Sequence, residues 1–126
     1  MVRTISGILL AAAVAACGAS APAQPRATRS VITSEEISSL NVTNAWEVIQ
    51  HLRPDYLRSR GSVSIRNQAA QFAVVYVNGM RAGGLDELRS VRAGDVASIR
   101  FISAADATTR WGTGHTGGVI EITTKT

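Results

Sequence analysis

Val74-Val75-Tyr76-Val77-Asn78-Gly79 is the stretch on which the fold turns. Residues 73–77 are apolar on both faces, the pattern of a strand in the middle of a sheet rather than at its wet surface. Asn78-Gly79 follows at once. Both residue types tolerate the positive φ of a type I′ turn, which makes this the strongest short-range turn signal in the chain. The stretch therefore predicts a central strand that opens a hairpin.

Working outward toward the C-terminus, Leu85, Leu88 and Val91 are spaced for a short helix. Residues 98–102 form a β-type run and residues 104–110 a helical one. Val119–Thr124 reads as a closing strand that carries Ile120 and Ile122. Toward the N-terminus, residues 62–66 alternate, with Val63 and Ile65 facing inward. Ala45, Val48, Ile49 and Leu52 make one apolar stripe at helical spacing, with Asn44 placed to cap it and Pro54 to stop it. Trp46 lies beside that stripe and is expected in the core. Thr33 and Glu36 form a capping box, which predicts a helical turn running to Leu40, and Val31-Ile32 can start a short strand. Strands and helices are mixed, with short connections and no internal repeat. The expected class is α+β: a small mixed β-sheet of about four strands packed with short helices.

The totals agree with one domain. The chain has 126 residues, 45% hydrophobic and 17% charged, which is a globular composition. Once residues 1–16 are set aside, a domain of this size hides only about 60–65% of its unfolded surface, leaving little room for a deep pocket. The net charge is +4, and Lys125 is the one lysine among the cations. Such a balance suits anionic lipid or acidic protein partners. It does not point to nucleic acid, because the arginines are scattered and the N-terminus directs the chain away from any.

That N-terminus reads as a leader. Arg3 precedes an apolar stretch, residues 5–16, interrupted by Ser6 and Gly7. This is signal-peptide length, short of the roughly 20 apolar residues a membrane-spanning helix needs. It ends in Val14-Ala15-Ala16-Cys17, similar to a lipobox, in which small residues fit the peptidase and the thiol takes a diacylglycerol. The single cysteine, Cys17, has no intramolecular disulfide partner and is expected to be acylated. Membrane lipid is then one partner, held at about 0.8 kcal/mol per buried methylene. The alternative is ordinary cleavage after Ala21-Pro22-Ala23, which gives a soluble periplasmic protein. Gly18, where inner-membrane lipoproteins often carry aspartate, favours the outer membrane by resemblance. The expected organisation is a lipoprotein signal peptide at 1–16, a flexible tether at 17–30 and a domain at 31–126.

Four segments in order resemble the plug domain of TonB-dependent outer-membrane receptors. Residues 74–79 resemble its v-Y-v-D-G hairpin, and Gly94-Asp95-Val96-Ala97-Ser98-Ile99 its p-x-D-I-x-S-I segment. Residues 105–112 are similar to s-A-t-a-r-Y-G, with Trp111 in place of the usual tyrosine. Residues 117–125 follow G-V-I-x-I-T-T-K almost letter for letter. The resemblance covers residues 31–126 and implies a plug-like fold, an outer-membrane setting, and an outer-membrane receptor or other envelope protein as partner. A receptor continues from the final motif into a barrel of about twenty-two strands, and residues 17–30 hold no convincing TonB box. The expectation is therefore a plug-like domain without its barrel, acting as a binding or interaction module. The second reading is an accessory ligand-binding component of a TonB-dependent uptake system.

No catalytic constellation stands out. Gly112, Gly114 and Gly117 spell G-x-G-x-x-G, but the order here is helix, loop, strand, so no helix N-terminus is aimed at a phosphate. His51 and Asp55 are four apart with Pro54 between them, and His115 is remote; both histidines are expected at the surface. No nucleophile has a base and an orienting group. No enzyme activity, cofactor or metal is expected. Two candidate contact regions remain. One is a basic face of Arg53, Arg58, Arg60 and Arg66; the other is an interaction loop of Arg110, Trp111 and His115, since Arg and Trp are common interface anchors.

Overall fold

The computed structural model describes residues 29–60 and 68–126. The leader, Cys17, most of the tether, the alternating run at 62–66 and Arg66 lie outside the described residues. Strands β1 (Val31–Thr33), β2 (Val74–Val77), β3 (Met80–Gly83), β4 (Val96–Ile102) and β5 (Val119–Thr124) form one sheet in the order β1-β4-β5-β2-β3. β2 and β5 run parallel, and the other neighbours are antiparallel. The sheet is mixed and the class α+β, as expected, with five strands instead of about four.

The hairpin at residues 74–83 forms as its sequence dictates. Asn78 and Gly79 take φ of 50° and 82°, the conformation a type I′ turn demands. The Asn78 amide is then held across the sheet, its Oδ1 accepting from the Thr124 N–H and its Nδ2 donating to the Thr124 hydroxyl. β3 has no such signature in Met80-Arg81-Ala82-Gly83. It becomes a strand because β2 pairs with it.

Helix α1 (Ser34–Ser38) starts on the predicted capping box. The Thr33 hydroxyl accepts from the Glu36 N–H, and the Glu36 carboxylate accepts from the Thr33 N–H at 2.9 Å. Helix α2 (Ala45–Leu52) is capped by Asn44, whose Oδ1 accepts from the Glu47 N–H at 3.0 Å. Pro54, lacking an N–H, begins a separate 3-10 turn, Pro54–Leu57, after α2 has ended. The Leu85, Leu88 and Val91 spacing is realised as a tighter 3-10 turn, Leu85–Arg89, with Gly84 ahead of it and no side-chain cap. Helix α3 (Ala104–Trp111) is capped by Ser103 and stops at Gly112, whose φ is 86°.

The sheet has a core on each face. On one, Ile32, Val75, Val96, Ile99, Ile120 and Ile122 pack against Ala45, Val48 and Ile49 of α2, Ile37 of α1, Tyr56 and Leu88. Trp46 packs against this cluster half-buried, with the Arg89 guanidinium 4.8 Å from its ring centre. On the other, Val74, Tyr76, Ile102 and Val119 meet Ala107 and Trp111 of α3. Burying one valine or isoleucine fully stabilises by about 1.5–3 kcal/mol. The first face, with more such residues, carries most of the stability.

Candidate functional site

The loop from Gly112 to Gly118 joins α3 to β5, and two of its glycines are fixed by sterics. A Cβ on Gly117 would run into the Phe72 carbonyl group, and one on Gly118 would lie 2.7 Å from the Ile102 carbonyl oxygen. The loop thus lies flat on neighbouring backbone, a closeness only glycine permits. The Thr116 hydroxyl ties it further by donating to the Ala70 carbonyl.

His115 departs from the expectation of a surface residue. It is 4% exposed, turned inward between Tyr76 and the loop backbone. Its Nδ1 lies 3.0 Å from the Gly112 carbonyl oxygen, and its Nε2 lies 3.0 Å from the Tyr76 hydroxyl. A carbonyl can only accept, so Nδ1 carries a hydrogen and donates to Gly112, while Nε2 shares a hydrogen bond with the Tyr76 hydroxyl. Both ring nitrogens have a hydrogen-bond partner. The ring turns inward because both of its nitrogens find partners there, the Gly112 carbonyl and the Tyr76 hydroxyl. His115 therefore ties the loop to Tyr76.

The other two loop candidates remain accessible. Trp111 is half-buried, its ring 4.6 Å from that of Tyr76, and Arg110 is exposed. The Arg110 guanidinium stands 5.5 Å from the Trp111 ring centre and 3.8 Å from a Glu121 oxygen. Arg110 and Arg100 also rim an open groove of about 530 Å³ between α3 and the β1–β4 side of the sheet.

Three members of the basic group come together around Tyr56 and Asp55. Arg53 donates from Nε to the Arg29 carbonyl and from Nη1 to the Leu52 carbonyl, and it pairs with Glu36 at 3.4 Å. Arg60 lies 4.1 Å from the Phe101 ring centre and donates to the Asp55 carbonyl at 2.8 Å. Arg58 pairs with Asp55 at 3.4 Å, with both side chains largely in solvent, where such pairs contribute little. Arg53 and Arg60 thus serve local structure first. Tyr56 donates to the Arg29 carbonyl at 2.6 Å. Burial raises its pKa above the ordinary value, with Arg53 and Arg60 opposing the rise.

One concavity had no sequence signal. An open groove of about 550 Å³ lies where β3 leaves the sheet, its walls including Trp46, Leu57, Phe72, Leu85, Arg81 and Asp86. Sequence reading missed it because its walls come from five separate segments. The one local hint was Phe72, an aromatic just ahead of a central strand. Among the described residues, no three His, Cys, Asp or Glu side chains lie together to hold a metal ion, and no helix is long and apolar enough to cross a membrane.

A mixed sheet covered on both faces, with conformationally locked glycine turns, defines a small α+β module of plug type. A sequence model of the TonB-dependent Receptor Plug Domain family matches residues 22–119, and the chain belongs to that family. It is a TonB-receptor-related module of the outer membrane and envelope, from a family of plugs rather than enzymes. No curated protein and no solved structure matches the chain.

Proposed function

We propose that this protein is a non-enzymatic, lipid-anchored interaction module that works at the outer membrane by contacting another envelope protein. Family membership over residues 22–119 carries the reading. In it, residues 1–16 are a signal peptide, Cys17 is acylated, residues 17–30 are the tether and residues 31–126 the contacting domain. The anchor is tested by metabolic acyl labelling of cells: wild type takes up label and Cys17→Ala does not. Label retained in Cys17→Ala, or absent from wild type, removes the anchor. The contact is tested by crosslinking in solubilised outer membranes, where a single reproducible adduct is expected and none would remove it.

The 550 Å³ groove supports the second reading, an accessory component that binds a small ligand for TonB-dependent uptake. Thermal shifts against siderophores, oligosaccharides and short peptides separate the two. A stabilisation that Phe72→Ala abolishes favours the ligand carrier; a flat response throughout leaves the protein-contact module.

A further inference from the structure

The turn between β2 and β3 sets an exposed asparagine directly before an exposed glycine, Asn78-Gly79. Asparagine is among the thermally labile side chains. Its weakness is intramolecular: the peptide nitrogen of the next residue can attack the side-chain carbonyl carbon, Cγ, and close a five-membered ring. Glycine shields that nitrogen least. Here a Cβ built on Gly79 would meet nothing within 4 Å, and among the described residues the Gly79 N–H has no hydrogen-bond partner. Nucleophile and electrophile therefore stand in solvent on neighbouring residues.

β5 is what holds them apart. The Asn78 Nδ2 donates to the Thr124 hydroxyl at 2.8 Å, its Oδ1 accepts from the Thr124 N–H at 3.0 Å, and its own N–H donates to the Ile122 carbonyl at 2.8 Å. Ring closure forces the side chain off a staggered rotamer and toward Gly79, which breaks both bonds to Thr124. Thr124 is the last residue of β5, and Lys125 beyond it is fastened to the Asp95 carbonyl through its N–H at 2.8 Å. The end of a strand opens more readily than its middle.

We infer that Asn78 is a site of covalent modification by deamidation, that Thr124 holds the reaction off, and that the isoaspartyl product unfastens the end of β5. The Gly79 nitrogen forms a bond to Cγ, the Cγ–Nδ2 bond breaks, and Nδ2 leaves as ammonia with the proton from the Gly79 nitrogen. Water then opens the cyclic imide. Cleavage at Cγ leaves aspartate on an ordinary backbone, and cleavage at the main-chain carbonyl carbon of residue 78 routes the chain through the side chain as isoaspartate. Water is consumed, ammonia is released, and nothing is oxidised or reduced. Aspartate keeps an acceptor for the Thr124 N–H. Isoaspartate draws the side-chain carbonyl into the main chain and adds a methylene to the turn, which removes that acceptor. The reaction needs no enzyme and does not reverse, so it counts the time the end of β5 spends open.

The test incubates the full chain at mildly alkaline pH and follows the Asn78 peptide by mass spectrometry, which separates asparagine, aspartate and isoaspartate. Wild type should react slowly when folded and far faster in denaturant. Thr124→Val, which suits a strand but lacks the hydroxyl, should raise the folded-state rate about fivefold, the worth of one net hydrogen bond. Thr123→Val leaves the clasp in place and should react as wild type, while Asn78→Gln should give no product at this site. In the isolated isoaspartyl form the Thr124 amide should exchange its hydrogen faster than in the unreacted chain. Equal rates in the folded and denatured wild type overturn the inference, because the fold then protects nothing. So does a Thr124→Val rate equal to wild type, or a Thr123→Val rate raised as much, which would trace the effect to general loosening of β5. Unchanged Thr124 exchange in the isoaspartyl form overturns the unfastening.

Discussion

At one side of the sheet β1 offers three residues, and both its ends are occupied. The Thr33 N–H is held by the Glu36 carboxylate, the Ser30 carbonyl accepts from Phe101, and the Arg29 carbonyl accepts from both Tyr56 and Arg53. At the other side β3 follows a tight turn, carries exposed Met80, Arg81 and Ala82, and lies beside an apolar groove. Ile32, in the middle of β1, is fully buried; Met80 is three-quarters exposed. Among the described residues, β1 sends its middle side chain into the core, while β3 shows most of its side chains to solvent.

The sharpest way to break this contrast is truncation at matched positions. Ile32→Ala should cost about 2–5 kcal/mol, because its cavity opens under a closed edge. Met80→Ala should stay within about 0.5 kcal/mol. Chemical denaturation measures both, and comparable losses would mean that β3 is as much core as β1. Gly117→Ala comes next, at about 1–3 kcal/mol, since its methyl group meets the Phe72 carbonyl and the neighbouring backbone must move. A neutral melt for that variant would show that the Phe72 backbone is not fixed as described. Thr33→Ala should remove about 1 kcal/mol by opening the capping box at the β1 edge.

The smallest effect is one of pH. Tyr56 has a pKa raised above its ordinary 10.0, by burial first of all. Its contribution is therefore fully present below pH 10.0 and is lost as pH rises through the higher folded value. Stability of the wild type should fall more steeply above pH 10.0 than that of Tyr56→Phe. Parallel pH profiles would detach the Tyr56 hydroxyl from the closing of β1.

Much of the fold was legible in local chemistry. The Asn78-Gly79 turn, the Thr33–Glu36 capping box, the Asn44 cap and the α2 stripe each depend on residues within a few positions of one another, and each stands where its spacing put it. β3 was not legible, because Met80-Arg81-Ala82-Gly83 has no alternation and owes its conformation to β2. Nor was the burial of His115, since a glycine loop has no periodicity to say which side faces the sheet. Of the candidate contact residues, Arg53, Arg58 and Arg60 gather as their closeness in sequence suggested. Their internal partners, Arg29, Leu52 and Phe101, could be known only from the packed chain. The groove was invisible for the same reason.

β5 is the last strand along the chain, and it lies in the middle of the sheet, between β4 and β2. Until residues 119–124 leave the ribosome, β1–β4 and β2–β3 are two antiparallel pairs with no strand in common. Neither half can complete either core, because Val119, Ile120 and Ile122 serve both faces. Assembly is therefore a single late event that waits on contacts distant in sequence, the kind of topology that folds slowly. A nascent chain built this way cannot close its sheet until residues 119–124 have been made.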